Sequence, residues 1–211
     1  MKSTAILLMA TALFIASCSS TTSEKKSNEE VVESYTDDLD ATFNKKYGVK
    51  NGTIQFESQM KGANFDLVGK SIVYFDDYGI KERKDTYDED GMLKESFLSD
   101  GKTLYLLIHK NKAAYKRGNT YRGTEMKFDW DEIPSDKKSS GEAIKGPNEN
   151  ILGKDCEVYF FKGSKFAGWK NICLLTEVEG SGVSNKVVAI KIQEEPVSAE
   201  LFSVPSDYTV Q

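Results

Sequence analysis

Apolar and polar residues alternate with a period of two from Gly52 onward. Ile54 and Phe56 alternate with Thr53 and Gln55. This period places successive side chains on opposite faces of a strand, so it predicts a half-buried β-strand. Asp-Gly and related pairs then recur at short, regular intervals, and they supply the positive φ angles that tight hairpin turns require. The pattern therefore predicts an antiparallel meander, and the fold class is mainly β.

The predicted strands are rich in Val, Ile, Tyr and Phe, as pleated surfaces favour. They cover residues 67–76, 79–88, 91–98, 102–109, 112–118, 151–161, 168–178 and 184–193. Residues 119–150 break the rhythm, and they are predicted to form a short helix or loop followed by a mobile, polar connection. The tail around residues 198–205 has apolar residues suited to covering a sheet edge.

Residues 31–47 show a different period. Apolar residues recur there at helical intervals, at Val32, Tyr35, Leu39, Phe43 and Tyr47. Such spacing places the apolar side chains on one face of a helix. We therefore expect an amphipathic helix that packs against the sheet.

The first 18 residues have the pattern of a secretory signal. A basic start at Lys2 precedes an apolar run from Ala5 to Ile15, which is too short to span a bilayer as a permanent helix. The sequence Ile15-Ala16-Ser17-Cys18 resembles the lipobox of bacterial lipoproteins. This resemblance implies removal of residues 1–17 and acylation of Cys18, for example with palmitate. The alternative is an ordinary signal peptide that ends in a cysteine by chance.

Residues 18–30 are polar and lack an apolar anchor, so they are predicted to be a lipidated flexible tether. Residues 31–211 are then long enough for one domain. The acyl chains are the expected membrane attachment. Ser19 follows the cysteine where the inner-membrane retention signal would have an aspartate. This resembles an outer-membrane sorting pattern, so we expect a lipid-anchored protein of the cell envelope at the outer membrane.

Charge and motif content narrow the chemistry. The formal net charge is −5 and no basic patch is present, so nucleic acid is not an expected partner. The single histidine, His109, is predicted to be an exposed hairpin residue. One histidine and two separated cysteines do not form a zinc ligand set, and the acidic turns do not match a calcium loop. We expect no metal, no cofactor and no enzymatic activity; a carboxylate-based hydrolase is the least favoured alternative.

Cys156 and Cys173 remain after lipidation of the first cysteine. Both lie in predicted strands, and a single hairpin around Gly163 to Gly168 would place them near each other. A secreted compartment permits a disulfide between them. The alternative is a pair of buried, unpaired thiols that act as small apolar residues.

Several short segments together resemble a LolA/LolB-like class of bacterial envelope lipoproteins, relatives of the periplasmic lipoprotein carrier and the outer-membrane lipoprotein receptor. The matching segments are Lys46–Gly52, Tyr74–Gly79, Leu152–Cys156, Trp169-Lys170 and Leu201–Pro205. The resemblance implies a curved antiparallel sheet that forms an unclosed half-barrel. An N-terminal helix and a short helical segment would lie on its concave side. It also implies that the concavity holds acyl chains or other hydrophobic ligands.

Aromatic residues of the strands are candidates for the lining of such a pocket. They are Phe56, Tyr74, Phe75, Tyr105, Phe160 and Trp169. The alternative is that these rings are the ordinary core of a β domain, since aromatic residues dominate core burial. The predicted function is a lipid-anchored lipoprotein that binds a hydrophobic ligand or a lipoprotein. The alternative is a non-catalytic interaction or scaffold lipoprotein.

Overall fold

A computed structural model of the chain describes residues 45–118 and 130–211, and one 13-stranded sheet dominates them. The first part contains β1 (Gly52–Gly62), β2 (Phe65–Asp76), β3 (Lys81–Tyr87), β4 (Leu93–Ser99), β5 (Leu104–Ile108) and β6 (Ala113–Gly118). The second part contains α1 (Ser135–Ser139), β7 (Ala143–Lys145), β8 (Glu149–Ile151), β9 (Lys154–Phe161), β10 (Ser164–Trp169), β11 (Ile172–Gly180), β12 (Val183–Gln193) and β13 (Thr209–Val210). Short 3₁₀ helices lie at Asp77–Gly79, His109–Asn111, Trp130–Glu132 and Ala199–Phe202.

The strand order of the sheet is β13-β6-β5-β4-β3-β2-β1-β12-β11-β10-β9-β7, and β8 pairs with β9 beside this path. Most pairs are antiparallel hairpins of consecutive strands, β1 and β12 are also antiparallel, and β13 pairs with β6 in parallel. In the part of the chain that the structure describes, the two ends of the path do not pair with each other. The prediction of a mainly β, curved and unclosed sheet is therefore confirmed.

The helical segments differ in part from the prediction. Residues 31–44 of the predicted N-terminal helix lie outside the described residues. Residues 45–47 are not helical, because the backbone N–H groups of Lys46 and Tyr47 both donate to the Tyr78 carbonyl oxygen, at 2.9 Å each. The short helix α1 does form, but β7 and β8 occupy positions that were predicted as polar connection. Both strands pair with β9, which no local pattern indicates.

The main core lies on one side of the sheet, which we call the first face. Paired residues share a face, and the pairs Ile54–Val73 and Phe75–Glu82 define it across β1, β2 and β3. Ile54, Val73 and Phe75 are at most 1% exposed. Tyr47 packs edge-on against Phe75, with the ring centroids 4.9 Å apart. Burial of these apolar side chains is the main stabilising contribution on this side.

A smaller core lies on the opposite side of β4, β5 and β6, which we call the second face. Leu98, Leu107 and Ala114 are fully buried there, and Val204 and Tyr208 pack against them. These two residues belong to the C-terminal segment, residues 194–211. Since β13 adds to β6, this segment both covers the second face and pairs with the edge of the sheet. Within the described ranges, none of the helices has the length and apolarity that crossing a membrane requires.

Candidate functional site

The first face changes from a closed core to an open apolar surface along one row of paired residues. Val73 pairs with Lys84, Lys84 with Phe97, Phe97 with Leu106, and Leu106 with Tyr115. Val73 is fully buried, whereas Phe97 is 36% exposed. Register places further apolar side chains of β5 on the same face. The open wall consists of Phe97, Leu104, Leu106, Ile108 and Tyr115.

The open wall has the chemistry of a hydrophobic binding surface. Four of its five side chains are partly buried, and Phe97 is exposed. A ligand that covers such side chains gains about 25 cal/mol for each Å² of apolar surface removed from water. Accessible apolar side chains are a common feature of ligand and partner sites. The geometry therefore suits an acyl chain, which needs shape and burial more than polar contacts.

The structure does not bring the six aromatic candidates onto one surface. Phe56 and Phe75 lie in the main core, whereas Tyr74 and Tyr105 lie on the second face. Phe160 is 41% exposed on β9. Trp169 lines a separate cavity at the end of β10. Tyr74 and Phe75 illustrate the physical reason, because adjacent residues of a strand point to opposite faces. The open wall uses other residues of the same strands, which the sequence analysis did not select.

A buried polar network on the second face was also missed. Asp85 accepts hydrogen bonds through Oδ1 from Arg83 Nε at 2.6 Å and from Ser96 Oγ at 2.5 Å. Ser96 Oγ lies 2.7 Å from His109 Nε2, and His109 Nδ1 lies 2.5 Å from the Tyr208 hydroxyl. Asp85 is 4% exposed and Ser96 is fully buried. The network thus links β3 to the C-terminal segment.

The Ser96 hydroxyl proton is directed at Asp85, so Nε2 of His109 donates to Ser96 Oγ. In the neutral imidazole, Nδ1 then accepts from the Tyr208 hydroxyl. Burial lowers the pKa of His109 below its ordinary value of 6.5, and the Arg83 charge lowers it further, while Asp85 opposes both. In a catalytic triad the histidine lies between serine and aspartate; here the serine occupies the middle position.

His109 lies in the hairpin between β5 and β6, as predicted, but the prediction that it is exposed was wrong. It begins the 3₁₀ helix His109–Asn111, and its ring is partly buried, edge-on against Tyr208 with the centroids 5.7 Å apart. The partner lies 99 residues further along the chain. The residues around His109 in the sequence give no sign of its contact with Tyr208. The one available signal was that Ser96 and Asp85 lie on neighbouring predicted strands, where they could pair.

A second buried carboxylate lies on the first face of β3. Glu82 is 1% exposed, and its Oε2 accepts from Lys46 Nζ and from the Tyr47 hydroxyl, each at 2.6 Å. These bonds attach residues 46–47 to β3, so they fix the point at which the chain enters the sheet. Gly79 allows the approach: a Cβ added there would lie 2.6 Å from the Tyr47 ring.

The single hairpin predicted between Cys156 and Cys173 was wrong, because residues 164–169 form β10 between their strands. Two tight turns replace one: Lys162 and Gly163 have positive φ at the first, and Lys170 and Asn171 at the second. Strands on either side of a third lie roughly 10 Å apart, beyond the ~7 Å Cα limit of a disulfide. Both thiols are free and buried in this structure, which corresponds to the second of the two alternatives, and burial raises the pKa of each.

No group of three or more His, Cys, Asp or Glu side chains is placed to hold a metal ion within residues 45–118 and 130–211.

Neither a family model nor a curated protein matches the chain in sequence. Among solved structures, an uncharacterised conserved protein from Thermus thermophilus is similar, with a TM-score of 0.49 and 6% identity over 77% of this chain and 90% of that one. A LolA superfamily protein from Nitrosomonas europaea has a TM-score of 0.38 and 8% identity over 78% and 95%. An outer-membrane lipoprotein-sorting protein domain from Vibrio parahaemolyticus has a TM-score of 0.33 and 11% identity over 74% and 91%.

Proposed function

We propose that this chain is a lipid-anchored lipoprotein of the cell envelope whose β domain binds a hydrophobic ligand, such as an acyl chain, on the open wall. The observation that supports the proposal is the row from Val73 to Tyr115, which begins in the closed core and ends on accessible apolar side chains. The proposed activity is binding by burial, with no catalytic step. A lipoprotein would be recognised through its acyl chains.

Substitution of Phe97 by Ser tests the wall directly. Phe97 is 36% exposed, so its ring can contact a ligand. Burial of a large apolar side chain contributes about 1.5–3 kcal/mol, and each 1.4 kcal/mol is a factor of ten in affinity. We therefore expect about tenfold weaker binding of a fluorescent fatty acid by Phe97→Ser, measured by titration of the purified full chain.

Ile144→Ser is the matched control, because Ile144 is 55% exposed and lies on β7 at the other end of the strand order. The control should bind the fatty acid as the unsubstituted chain does. Equal weakening in both variants, or no saturable fatty-acid binding by the unsubstituted chain, would contradict a binding role of the open wall.

Anchoring through Cys18 is proposed separately. Residues 1–17 would be removed, Cys18 would carry the acyl chains, and residues 18–30 would tether the domain to the outer membrane. Mass spectrometry of the protein extracted from cell envelopes should show an acylated N-terminal cysteine. Cys18→Ser should move the protein to the soluble envelope fraction; an unmodified cysteine at the mature N-terminus would refute the anchor.

A second candidate is an interaction or scaffold lipoprotein, and the ends of two neighbouring hairpins favour it. Phe65, Leu67 and Val68 are at least 40% exposed at the β1–β2 end, and Val178 and Val183 are exposed at the adjacent β11–β12 end. Crosslinking in intact cells tests this function. A dominant partner that is lost in Leu67→Ser and kept in Phe97→Ser would favour the scaffold over the ligand carrier.

A further inference from the structure

Strand β2 is paired unequally on its two sides. On one side, every residue from Phe65 to Phe75 pairs with β1. On the other side, β3 pairs only with residues 70–76, and the first of these pairs is Lys70–Tyr87. Within the part of the chain that the structure describes, residues 65–69 therefore have no strand on the β3 side. We call residues 65–69 the free edge.

The backbone of the free edge can accept another strand. N–H and C=O groups of an antiparallel strand point alternately to its two neighbours, so about half of those in the free edge point away from β1. The backbone hydrogen bonds that residues 45–118 and 130–211 form in turns and loops do not involve residues 65–69. The free edge also contains no proline. A row of unpaired backbone groups is a template on which another chain can pair.

Apolar side chains of the free edge are open to contact. Phe65 and Leu67 are 40% and 43% exposed, and their even spacing from Val73 places them on the first face. Val68 is 56% exposed on the second face. A strand added here would therefore remove apolar surface from water on both faces of the sheet, which favours its binding.

The charged residue of the free edge does not protect it. Natural sheets commonly protect an edge with charged side chains. Asp66 instead accepts from Gln59 Nε2 at 2.9 Å, and its carboxylate lies 3.8 Å from Lys61 Nζ. Both partners belong to β1, so the charge is held toward β1 and not toward the β3 side.

Charge at one end of the free edge selects the direction of an added strand. Because Tyr87 pairs with Lys70, the turn of residues 88–92 that follows β3 lies at this end. The turn carries three exposed carboxylates, those of Asp88, Glu89 and Asp90. A strand antiparallel to β2 would begin beside them, whereas a parallel strand would end there. An antiparallel strand with a basic N-terminal end therefore complements the site.

The length of the free edge selects the kind of partner. A stable interface between folded domains buries about 1,600 Å² in total, which a single short edge does not supply. Short extended peptides, in contrast, bind to sheet edges through backbone hydrogen bonds, with alternate side chains giving specificity. The free edge therefore suits an extended segment better than a second folded copy of the chain.

We propose that the free edge binds an extended segment of a partner protein as an added antiparallel strand. The segment would carry apolar side chains opposite Leu67 and Phe65, a basic group at its N-terminal end, and no proline. The inference deepens the interaction or scaffold candidate, on which it rests, because it names the surface and the class of partner. It does not involve the open wall, which lies on β4, β5 and β6.

A synthetic peptide tests the free edge directly. The probe is Lys-Thr-Val-Lys-Val-Thr with a fluorescent label at its C-terminus, and its third and fifth residues would face Leu67 and Phe65. Titration into the full chain, followed by fluorescence anisotropy, should give saturable binding and should protect the amide hydrogens of residues 65–69 from exchange. A probe that begins with acetylated Glu in place of Lys should bind more weakly, because the acidic turn of residues 88–92 would repel it.

Two N-methylated probes separate strand addition from side-chain contact alone. Methylation of a backbone nitrogen removes a donor, and in an added strand only alternate residues direct their donors at the sheet edge. The third and fourth residues of the probe have opposite orientations. Methylation at one of them should abolish binding, whereas methylation at the other should leave binding nearly unchanged.

Leu67→Ser should weaken binding of the probe about tenfold, because the added strand would bury this side chain. Val183→Ser is the matched control, since Val183 is 37% exposed but lies on β12, two strands away from β2. It should bind the probe as the unsubstituted chain does, and so should Phe97→Ser, which is expected to bind the fatty acid more weakly. The double variant Glu89→Gln, Asp90→Asn should weaken binding about threefold.

No saturable binding of the probe by a folded chain would overturn the proposal. Equal effects of the two methylated probes would also overturn it, because the contact would then not be a strand pairing. If sedimentation showed a dimer of the chain that Leu67→Ser dissociates, the free edge would belong to a second copy, and the proposal would be wrong. A crosslinked cellular partner without probe binding would refute strand addition and leave the scaffold function standing, whereas probe binding without a crosslinked partner would do the reverse.

Discussion

Strand β3 buries a carboxylate on each face of the sheet, and the two are held in different ways. Glu82, on the first face, accepts from the Lys46 ammonium and the Tyr47 hydroxyl. Asp85, on the second face, accepts from Arg83 and from Ser96, and Ser96 continues through His109 to the C-terminal segment. The first arrangement is a direct ion pair with the chain entry; the second is a longer network that includes a neutral imidazole.

The comparison shows how one short strand attaches both ends of the described domain. Residues 46–47 are tied to β3 through charge, so removal of either charge leaves the other in a buried position. The C-terminal segment is tied through hydroxyl and imidazole groups, whose individual hydrogen bonds contribute less. Of these groups, only His109 has an ordinary pKa near neutral pH. The two attachments should therefore differ both in strength and in their response to pH.

The largest effect is expected from Glu82→Ala. The substitution deprives the Lys46 ammonium, 9% exposed, of a carboxylate 2.6 Å away and deprives the Tyr47 hydroxyl of an acceptor. Removal of one partner of a buried ion pair costs about 3–5 kcal/mol. We expect a loss of that size in the free energy of unfolding, measured by urea denaturation with circular dichroism.

Glu89→Ala is the matched control, because Glu89 is an exposed carboxylate of the turn after β3. It should change the free energy of unfolding by less than about 0.5 kcal/mol. If Glu82→Ala were as stable as this control, the ion pair would not hold the chain entry to β3.

A smaller effect is expected from Ser96→Ala. Its hydroxyl donates to Asp85 and faces His109 Nε2, so alanine removes one hydrogen-bond partner from each of these two buried groups. Loss of a buried partner costs about 1–3 kcal/mol. Ser99→Ala is the control on the same strand: it is equally buried, but its hydroxyl bonds only backbone groups, those of Ile80 and Gly101, at 3.2 Å each. Equal destabilisation of the two variants in thermal denaturation would contradict a special contribution of the network.

The sequence predicted the strands well because their signal is local. Alternation in residues 53–56 and the turns near Gly79, Gly91 and Gly101 depend on adjacent residues, and the structure has hairpins at these places. The same local pattern did not separate β10 from its neighbours. Strand β10 has only six residues and lies between two turns. Because glycines stand near both of its ends, at 163 and 168, the sequence suggested one broad turn in place of a strand.

The candidate sites depend on contacts that local patterns do not contain. Phe97 and Leu106 meet through register, and His109 meets Tyr208 across 99 residues. The six aromatic candidates lie in strands, but their assignment to one pocket required knowledge of the face that each side chain occupies. The burial of Asp85 depends in the same way on residues of other strands, since its carboxylate accepts from Ser96 of β4.

The smallest effect is a pH dependence that comes from His109. Its folded pKa is below the ordinary value of 6.5, because burial and the Arg83 charge disfavour the imidazolium. The unfolded chain therefore binds a proton more readily than the folded chain, and stability falls as pH decreases through 6.5 toward the folded pKa. Protonation also places a proton on Nδ1, so the Tyr208 hydroxyl loses its acceptor. We expect the amide hydrogens of the C-terminal segment to be less protected from exchange at pH 5 than at pH 7, after correction for the slower intrinsic exchange at pH 5.

His109→Gln separates this effect from the titration of acidic groups. Glutamine does not titrate. The free energy of unfolding of the His109→Gln variant should therefore change less between pH 7 and pH 5 than that of the unsubstituted chain. The paired carboxylates Glu194 and Asp207 have pKa values below their ordinary 4.5 and 3.8, so their contributions are lost only at more acidic pH. The measurement is urea denaturation at several pH values, combined with hydrogen exchange of residues 194–211. If the free energy of unfolding changed equally with pH in the two proteins, His109 would not control the C-terminal attachment. If it changed less in His109→Gln while exchange in residues 45–62 stayed the same, the pH response would belong to the second face alone.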